Sequence, residues 1–138
     1  MSFAHRTRPS PLVLPPPVGN INQNLAEISL PVYTYADLRA ARHEDQYENG
    51  ERILVGLKDY IFNVSPLKEF MGPAGQLSNY PWRDISFALV KSSNLPEDTA
   101  VQGYNNFSQN DSKALEEWTA TFLLRFTVVG RKSRVDTA

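Results

Sequence analysis

The chain has no cysteine among its 138 residues. This excludes a disulfide-stabilised scaffold, thiol catalysis and thiolate-bound metal sites. No apolar run approaches the roughly 20 residues needed to cross a bilayer, so we expect no membrane span in this sequence. Fourteen basic residues against 15 acidic ones leave a net charge of −1, which provides no global field for binding nucleic acid.

Residue patterns that would support catalysis are also scarce. The sequence contains no Ser/His/Asp arrangement, glycine-rich phosphate loop, HExxH motif or distinctive carboxylate pair. Only two histidines are present, His5 near the start and His43 in a polar run typical of a solvated surface. We therefore predict that the protein is not an enzyme.

Two short apolar runs, at residues 53–57 and 60–64, predict a β-hairpin because β-branched and aromatic residues flank two polar ones. Pro66 ends the second run, since proline removes a backbone donor from the strand. Ser65 is predicted to cap a short helix that follows. The Gly-Pro-Ala-Gly sequence at 72–75 predicts a loop.

The next segment predicts a short helix and then an irregular connection. Asp84 precedes an apolar stretch and is predicted as the N-cap of a helix at residues 85–92. Residues 95–111 are polar and contain proline, glycine and asparagine, which indicates a loop or a poorly formed helix.

A clear helical period follows. Asp111 or Ser112 is predicted to cap a helix that runs to about Phe126, with apolar positions at i, i+3 and i+4 spacing. Gly130 is predicted to let the chain turn away after the helix. The apolar positions, expected in the core, are Ala114, Leu115, Trp118, Phe122 and Leu123.

Six short motifs, taken together and in order, resemble one family. They are Tyr33-Thr34 with Asp37-Leu38, Arg52-Ile53-Leu54, Tyr60-Ile61-Phe62-Asn63-Val64, Phe70-Met71-Gly72-Pro73, Arg83-Asp84-Ile85-Ser86 and Glu117-Trp118. This set is similar to the membrane-associated progesterone receptor family, the cytochrome b5-like heme/steroid-binding domains. The resemblance implies an α+β fold in which a small mixed sheet and short helices form a pocket. It implies a domain at residues 33–132, with an arm at 1–32 and a tail at 133–138.

Heme-binding members of that family are understood to use a tyrosine as the axial iron ligand. By resemblance, that ligand position falls on Leu77, a supporting tyrosine position on Met71, and a Lys-Tyr pair on Arg125 and Phe126. Leucine has no lone pair for iron, and only Arg125 keeps its chemical character. The bis-histidine mode of cytochrome b5 needs an H-P-G-G loop, which neither histidine of this chain occupies.

A substitute ligand remains an alternative. Tyr80 lies three residues past Leu77, and Met71 offers a thioether. The favoured interpretation is that both side chains fill the pocket, and that no cofactor is bound. The residues predicted to fill a smaller and more apolar pocket are Met71, Leu77, Tyr80, Trp82 and Phe126.

The arm at residues 1–32 contains six of the ten prolines and no acidic residue before Glu27. Its apolar runs are too short for a signal peptide and its prolines prevent a presequence helix, so no clear targeting signal is present. We expect an extended polyproline-like arm that is disordered alone and held by a partner surface. Its predicted anchors are Phe3, Leu12, Val13, Leu14, Ile21 and Leu25.

Three functional hypotheses follow. The first is a heme-free accessory or structural subunit of a larger protein assembly, attached through the arm. That subunit would be intracellular and peripheral on a mitochondrial or endoplasmic reticulum membrane. The second is a carrier of heme or a sterol-like ligand in the family's manner. The third, an electron-transfer partner, requires a redox cofactor for which the sequence offers no ligand.

Overall fold

A computed structural model describes residues 14–19, 21–45, 53–71, 75–100 and 106–133. Four strands and four α-helices lie within these ranges. In chain order they are β1 (Val32–Tyr33), α1 (Tyr35–Asp45), β2 (Leu54–Leu57), β3 (Tyr60–Asn63), α2 (Lys68–Met71), α3 (Ser86–Val90), α4 (Gln109–Leu123) and β4 (Thr127–Lys132). Three 3₁₀ turns accompany them, at Leu25–Glu27, Ser65–Leu67 and Pro96–Ala100.

The strands form one mixed sheet in the order β1-β4-β3-β2. The predicted hairpin is confirmed, because β2 and β3 pair antiparallel from Leu54 opposite Asn63 to Leu57 opposite Tyr60. β4 pairs antiparallel with β3 across an irregularity at Ile61 and Phe62, and β1 joins β4 in parallel. This arrangement is the predicted α+β class with a small mixed sheet.

The sheet buries apolar side chains on both faces, because successive residues of a strand point to opposite sides. The larger core lies on the face with Val55 and Phe62, which packs against α3 and α4. The smaller core contains their neighbours Leu54 and Ile61, together with Leu38 of α1. Because side chains alternate between the two faces along each strand, the two faces of the sheet form separate cores.

The helix starts differ from those predicted. Val64, not Ser65, precedes the 3₁₀ turn at Ser65–Leu67, and its side chain makes no cap hydrogen bond. The Ser65 hydroxyl instead donates to Asn63 Oδ1 at 2.6 Å. The N-cap of α3 is Ile85, one residue after Asp84, and α3 ends at Val90.

The boundaries of α4 also differ, at both ends. Ser108 is its N-cap and forms a capping box with Asp111, so the helix starts before the predicted cap. It ends at Leu123, and β4 begins at Thr127 because the following β-branched residues extend along β3. The predicted turn at Gly130 is wrong, since Gly130 pairs with Ile61 inside β4. Of the preceding connection, residues 96–100 form a 3₁₀ turn and 101–105 lie outside the described residues.

The described part of the arm packs on its own domain. Leu14, Leu25 and Leu30 contact the larger core, and Ile21 is half-buried. Val18 N donates to the carbonyl of Leu124, just beyond α4, at 2.7 Å. The prediction that these anchors need a partner surface is therefore wrong for Leu14 and Leu25.

Side chains of the domain donate hydrogen bonds to backbone carbonyls of the arm. Arg125 Nε donates to the Pro15 carbonyl at 3.0 Å, and Arg131 Nη2 donates to the Leu25 carbonyl at 3.0 Å. Residues that lack regular structure can pack when their polar backbone groups are satisfied in this way. The other predicted anchors, Phe3, Leu12 and Val13, lie outside the described residues.

Candidate functional site

Four of the residues assigned by resemblance to the ligand pocket come together in the larger core. Met71, Leu77, Tyr80 and Phe126 are each exposed by 2% or less and belong to one apolar cluster. The Leu77 amide donates to the carbonyl of Phe70 at 2.7 Å, which ties Leu77 to α2. These four side chains therefore lie together in the interior of the larger core.

Tyr80 places its hydroxyl at the edge of this cluster. The hydroxyl donates to the Ser93 carbonyl at 2.6 Å and the residue is 1% exposed. Burial raises the pKa of Tyr80 well above its ordinary value, and the nearby Asp98 carboxylate raises it further. Tyr80 is therefore a neutral hydrogen-bond donor, not a phenolate.

Two loops are joined around Tyr80. Asn79 Nδ2 donates to the Asn94 carbonyl at 3.1 Å, and Asn94 Nδ2 donates to the Gln76 carbonyl at 3.3 Å. The Ser93 hydroxyl hydrogen-bonds Asp98, which anchors the 3₁₀ turn beyond it. These bonds hold the loop that carries Leu77 to the loop that follows α3.

Two predicted pocket residues lie elsewhere. Trp82 belongs to the smaller core on the opposite face of the sheet, where its amide donates to the Leu54 carbonyl at 2.6 Å. Arg125 is directed to the surface of α4, where Nη1 donates to the Thr121 carbonyl at 3.1 Å, beside its bond to the arm. The prediction that Trp82 fills the same pocket is therefore wrong, because the chain runs beside β2 at this point.

The side chains gathered here do not fit an iron ligand set. Heme iron held by tyrosine needs an accessible phenolate, whereas the Tyr80 hydroxyl is buried and donates to a carbonyl. Met71 is 2% exposed among apolar neighbours, and Leu77 has no donor atom. Of the two histidines, His5 lies outside the described residues. His43 lies on α1, but its side chain is not among those that the structure describes.

Sequence reasoning missed a buried ion pair on the other face. Lys132 Nζ pairs with Asp84 Oδ2, with side-chain exposures of 13% and 4%. Asp84 Oδ1 also accepts from the backbone N and hydroxyl of Ser86, at 3.1 and 2.8 Å. The Asp84 carboxylate therefore joins the end of β4 to the start of α3. The motif at 83–86 drew attention to Asp84, but no local sequence pattern could identify a partner 48 residues away.

Asn22 is a second residue that the sequence did not reveal. Its side-chain amide donates to the carbonyls of Leu123 and Phe126, each at 2.8 Å, and its oxygen accepts from the Val128 amide at 3.0 Å. A single side chain of the arm thus hydrogen-bonds both the end of α4 and the start of β4. Helix carbonyls at a C-terminus lack partners within the helix, and Asn22 supplies one.

Membrane and metal features are absent from the parts of the chain that the structure covers. In those ranges no helix combines the length and apolar character that crossing a bilayer requires. The same ranges contain no group of three or more histidine and acidic residues placed to hold a metal ion.

Comparison with known proteins identifies relatives. "Probable steroid-binding protein 3" of Arabidopsis thaliana is 30% identical over 84 residues, which cover 61% of this chain and 83% of the relative. "Membrane steroid-binding protein 1" of rice is 28% identical over 127 residues, or 91% of this chain and 48% of the relative. "Cytochrome P450 regulator dap1" of fission yeast is 28% identical over 107 residues, or 72% of this chain and 61% of the relative. The chain thus spans less than two thirds of the last two.

Solved structures show the same fold. An Arabidopsis thaliana protein described as having a cytochrome b5-like fold superposes with a TM-score of 0.61 at 28% identity, covering 75% of this chain and 91% of its own. No family model matches the sequence. On the strength of these relatives and of the architecture described above, the chain belongs to the membrane-associated progesterone receptor family and has a cytochrome b5-like fold.

Proposed function

We propose that this chain is a non-catalytic, heme-free accessory domain that acts through protein contacts in a larger, membrane-associated assembly. The observation that carries the proposal is the burial of the side chains at positions that the resemblance assigns to the family's ligand pocket. Met71, Leu77, Tyr80 and Phe126 lie in the larger core and are each exposed by 2% or less. Protein interiors packed in this way have few voids larger than a water molecule.

The chemistry of the described residues supports a role without catalysis. Asp84 is the buried carboxylate of this part of the chain, and it is neutralised by Lys132 and bonded to Ser86. A general acid or base needs a group that can exchange protons with a bound substrate. Asp84 is instead engaged on both oxygens, as expected of a residue that holds the fold together.

The relatives support the accessory and membrane parts of the proposal. One is named a regulator of a cytochrome P450, and another a membrane steroid-binding protein. A regulator acts on another protein, so a domain of this kind needs no chemistry of its own. We extend to this chain the role of a partner for a larger protein at a membrane surface.

The heme-free part is tested by absorption titration of the purified, untagged chain with hemin. We expect no saturable Soret shift for the wild type, for Tyr80→Phe or for Tyr60→Phe, the matched control outside the loop. We also expect none for Leu77→Tyr, because Leu77 is surrounded by buried apolar side chains of the larger core. A saturable shift that Tyr80→Phe abolishes and Tyr60→Phe preserves would overturn the proposal and assign the ligand. An absorbing cofactor in the chain as purified would point to electron transfer instead.

A second candidate function is the binding of a steroid or similar apolar ligand. Its support is the apolar character of the interior, together with the names of two relatives. Equilibrium dialysis against radiolabelled progesterone tests it, with Leu77→Trp as a variant that overfills the interior. The accessory proposal would give way to this one if the wild type bound progesterone saturably and Leu77→Trp, while still unfolding cooperatively, did not. We expect no saturable binding to the wild type.

The assembly is tested on the full chain in its own cells. An epitope-tagged chain should migrate on a native gel in a complex well above its mass of 15.6 kDa, and should be recovered with the membrane fraction. Salt washing should release it if it is peripheral. A chain that migrates alone, in both soluble and membrane fractions, would contradict the accessory role.

A further inference from the structure

The arm contains a run of three prolines whose conformation follows from covalent geometry. Pro15, Pro16 and Pro17 are consecutive, and Leu14 precedes them. Proline fixes its own φ near −65° and drives the residue before it into the extended or polyproline II region. Leu14, Pro15 and Pro16 each precede a proline and are therefore restricted to the extended or polyproline II region, and the φ of Pro17 is fixed by its ring. A polyproline II backbone makes no internal hydrogen bonds.

The fold holds this run at both of its ends. At the first proline, Arg125 Nε donates to the Pro15 carbonyl at 3.0 Å. Just after the last proline, Val18 N donates to the Leu124 carbonyl at 2.7 Å. Both partners lie at the C-terminal end of α4, so the run is fixed against a rigid element.

The same run is exposed between these two attachments. Leu14 and Pro15 are half-buried, whereas Pro16 and Pro17 are exposed. Val18 is 47% exposed and the adjacent Leu124 is 53% exposed. Pro16, Pro17, Val18 and Leu124 are thus apolar residues that the described part of the domain leaves exposed, and the Val18–Leu124 hydrogen bond brings them together; we call them the proline patch.

We propose that the proline patch is a docking ligand for a partner protein module whose aromatic-lined groove recognises polyproline II. Such grooves bind proline-rich segments because the segment is already extended and loses little conformational entropy on binding. The two attachments lower that cost further, since they fix the run before any partner arrives. The inference rests on the proposed accessory role, for which it names the kind of partner.

The test uses the full chain and a panel of purified polyproline-binding modules: SH3, WW and EVH1 domains, and profilin. Isothermal titration calorimetry measures binding to the wild type, to the double variant Pro16→Ala/Pro17→Ala and to Pro96→Ala. Pro96 is an exposed proline of the 3₁₀ turn Pro96–Ala100 and serves as the matched control. We expect saturable binding to at least one module, weakened about tenfold or more in the double variant, which corresponds to about 1.4 kcal/mol. Pro96→Ala should bind as the wild type does.

Three outcomes would overturn the proposal. The first is the absence of binding to every module, and the second is equal binding by the double variant and Pro96→Ala. The third is binding of the proline patch to vesicles of phosphatidylcholine and phosphatidylserine in place of the modules, which would make it a lipid contact. Circular dichroism and urea unfolding of the double variant check that it is folded, since only exposed side chains are removed.

A peptide of residues 11–20 tests whether presentation by the fold matters. The peptide contains the same prolines but lacks the two attachments, so the full chain should bind the chosen module several-fold more tightly. Equal affinity would overturn the role of the attachments. Hemin titration of the same samples separates the two proposals, because a chain that binds both hemin and a module contradicts only the heme-free function. A chain that binds neither contradicts only the docking proposal.

Discussion

The substitution Asn22→Ala tests how the arm is held on the domain. The Asn22 amide group makes three hydrogen bonds, two to the carbonyls of Leu123 and Phe126 and one from the amide of Val128. All three are partly buried and join residues more than 100 positions apart. Alanine removes the bonds and leaves two carbonyls and one amide without that partner.

The expected cost can be worked out from these contacts. A hydrogen bond contributes about 0.5–1.5 kcal/mol net, and a buried group left without a partner costs at least as much. Because the site is only partly buried, water replaces some of what is lost. We expect the free energy of unfolding to fall by about 2–3 kcal/mol, a large fraction of the roughly 5–15 kcal/mol of an ordinary domain.

Urea unfolding followed by tryptophan fluorescence measures this change, since Trp82 is buried and Trp118 half-buried. With a slope near 2 kcal/mol per molar urea, the midpoint should fall by about 1–1.5 M. Asn24→Ala is the matched control. Asn24 is exposed and its side chain makes no cap hydrogen bond, so its substitution should change stability by less than about 0.5 kcal/mol.

A second substitution separates the bonds from the loss of side-chain volume. Asn22→Asp keeps the shape and the acceptor for Val128, but it loses the donor and places a charge against two carbonyl oxygens. It should be at least as destabilising as Asn22→Ala. If Asn22→Ala unfolded within about 0.5 kcal/mol of Asn24→Ala, the inference that this side chain fastens the arm to α4 would be refuted.

Three further substitutions test other parts of the structure. Gly130→Ala should cost about 1–3 kcal/mol, because its Cβ would lie 2.6 Å from Cε1 of the Tyr33 ring, whereas Gly19→Ala, with nothing within 4 Å, should be neutral in the same urea assay. Lys132→Met should lower the free energy of unfolding by about 3 kcal/mol by leaving a buried carboxylate unpaired, and a loss below 1 kcal/mol would contradict that pairing. Burial raises the pKa of Tyr80 in the folded state, so the unfolded chain loses this proton first, near pH 10, and stability falls as pH rises further. Tyr80→Phe should flatten that alkaline decline relative to the wild type, and an unchanged slope would count against it.

Local patterns predicted the hairpin and two buried residues of α4. The runs at 53–57 and 60–64 became β2 and β3, because strand preference and a tight connection act between neighbouring residues. The helical spacing placed Leu115 and Phe122 in the core, where both are buried. Trp118, predicted in the core, packs beside it half-buried. Such periodicity is a property of the chain itself and needs no knowledge of the fold.

Helix boundaries were less predictable, since several residues in a row could act as caps. The capping box of α4 uses Ser108 with Asp111, while the sequence favoured Asp111 or Ser112 as the cap. The local pattern predicts a turn at Gly130, yet the residue pairs with Ile61 inside β4, and the Tyr33 ring lies where a side chain at this position would be. That contact spans almost the whole domain and is invisible in a local pattern.

Residue identities, taken in order along the chain, were enough to predict the family and the α+β fold class. Which residues meet in the core depends on how the distant segments pack. The tertiary structure separated Trp82 from Met71, Leu77, Tyr80 and Phe126, because the segment that carries Trp82 runs beside β2 and the indole packs in the smaller core on the other face of the sheet. It also laid the arm on α4, through bonds between positions more than 100 residues apart. Contacts of that kind arise only when the folded chain brings distant segments together, so no local preference encodes them.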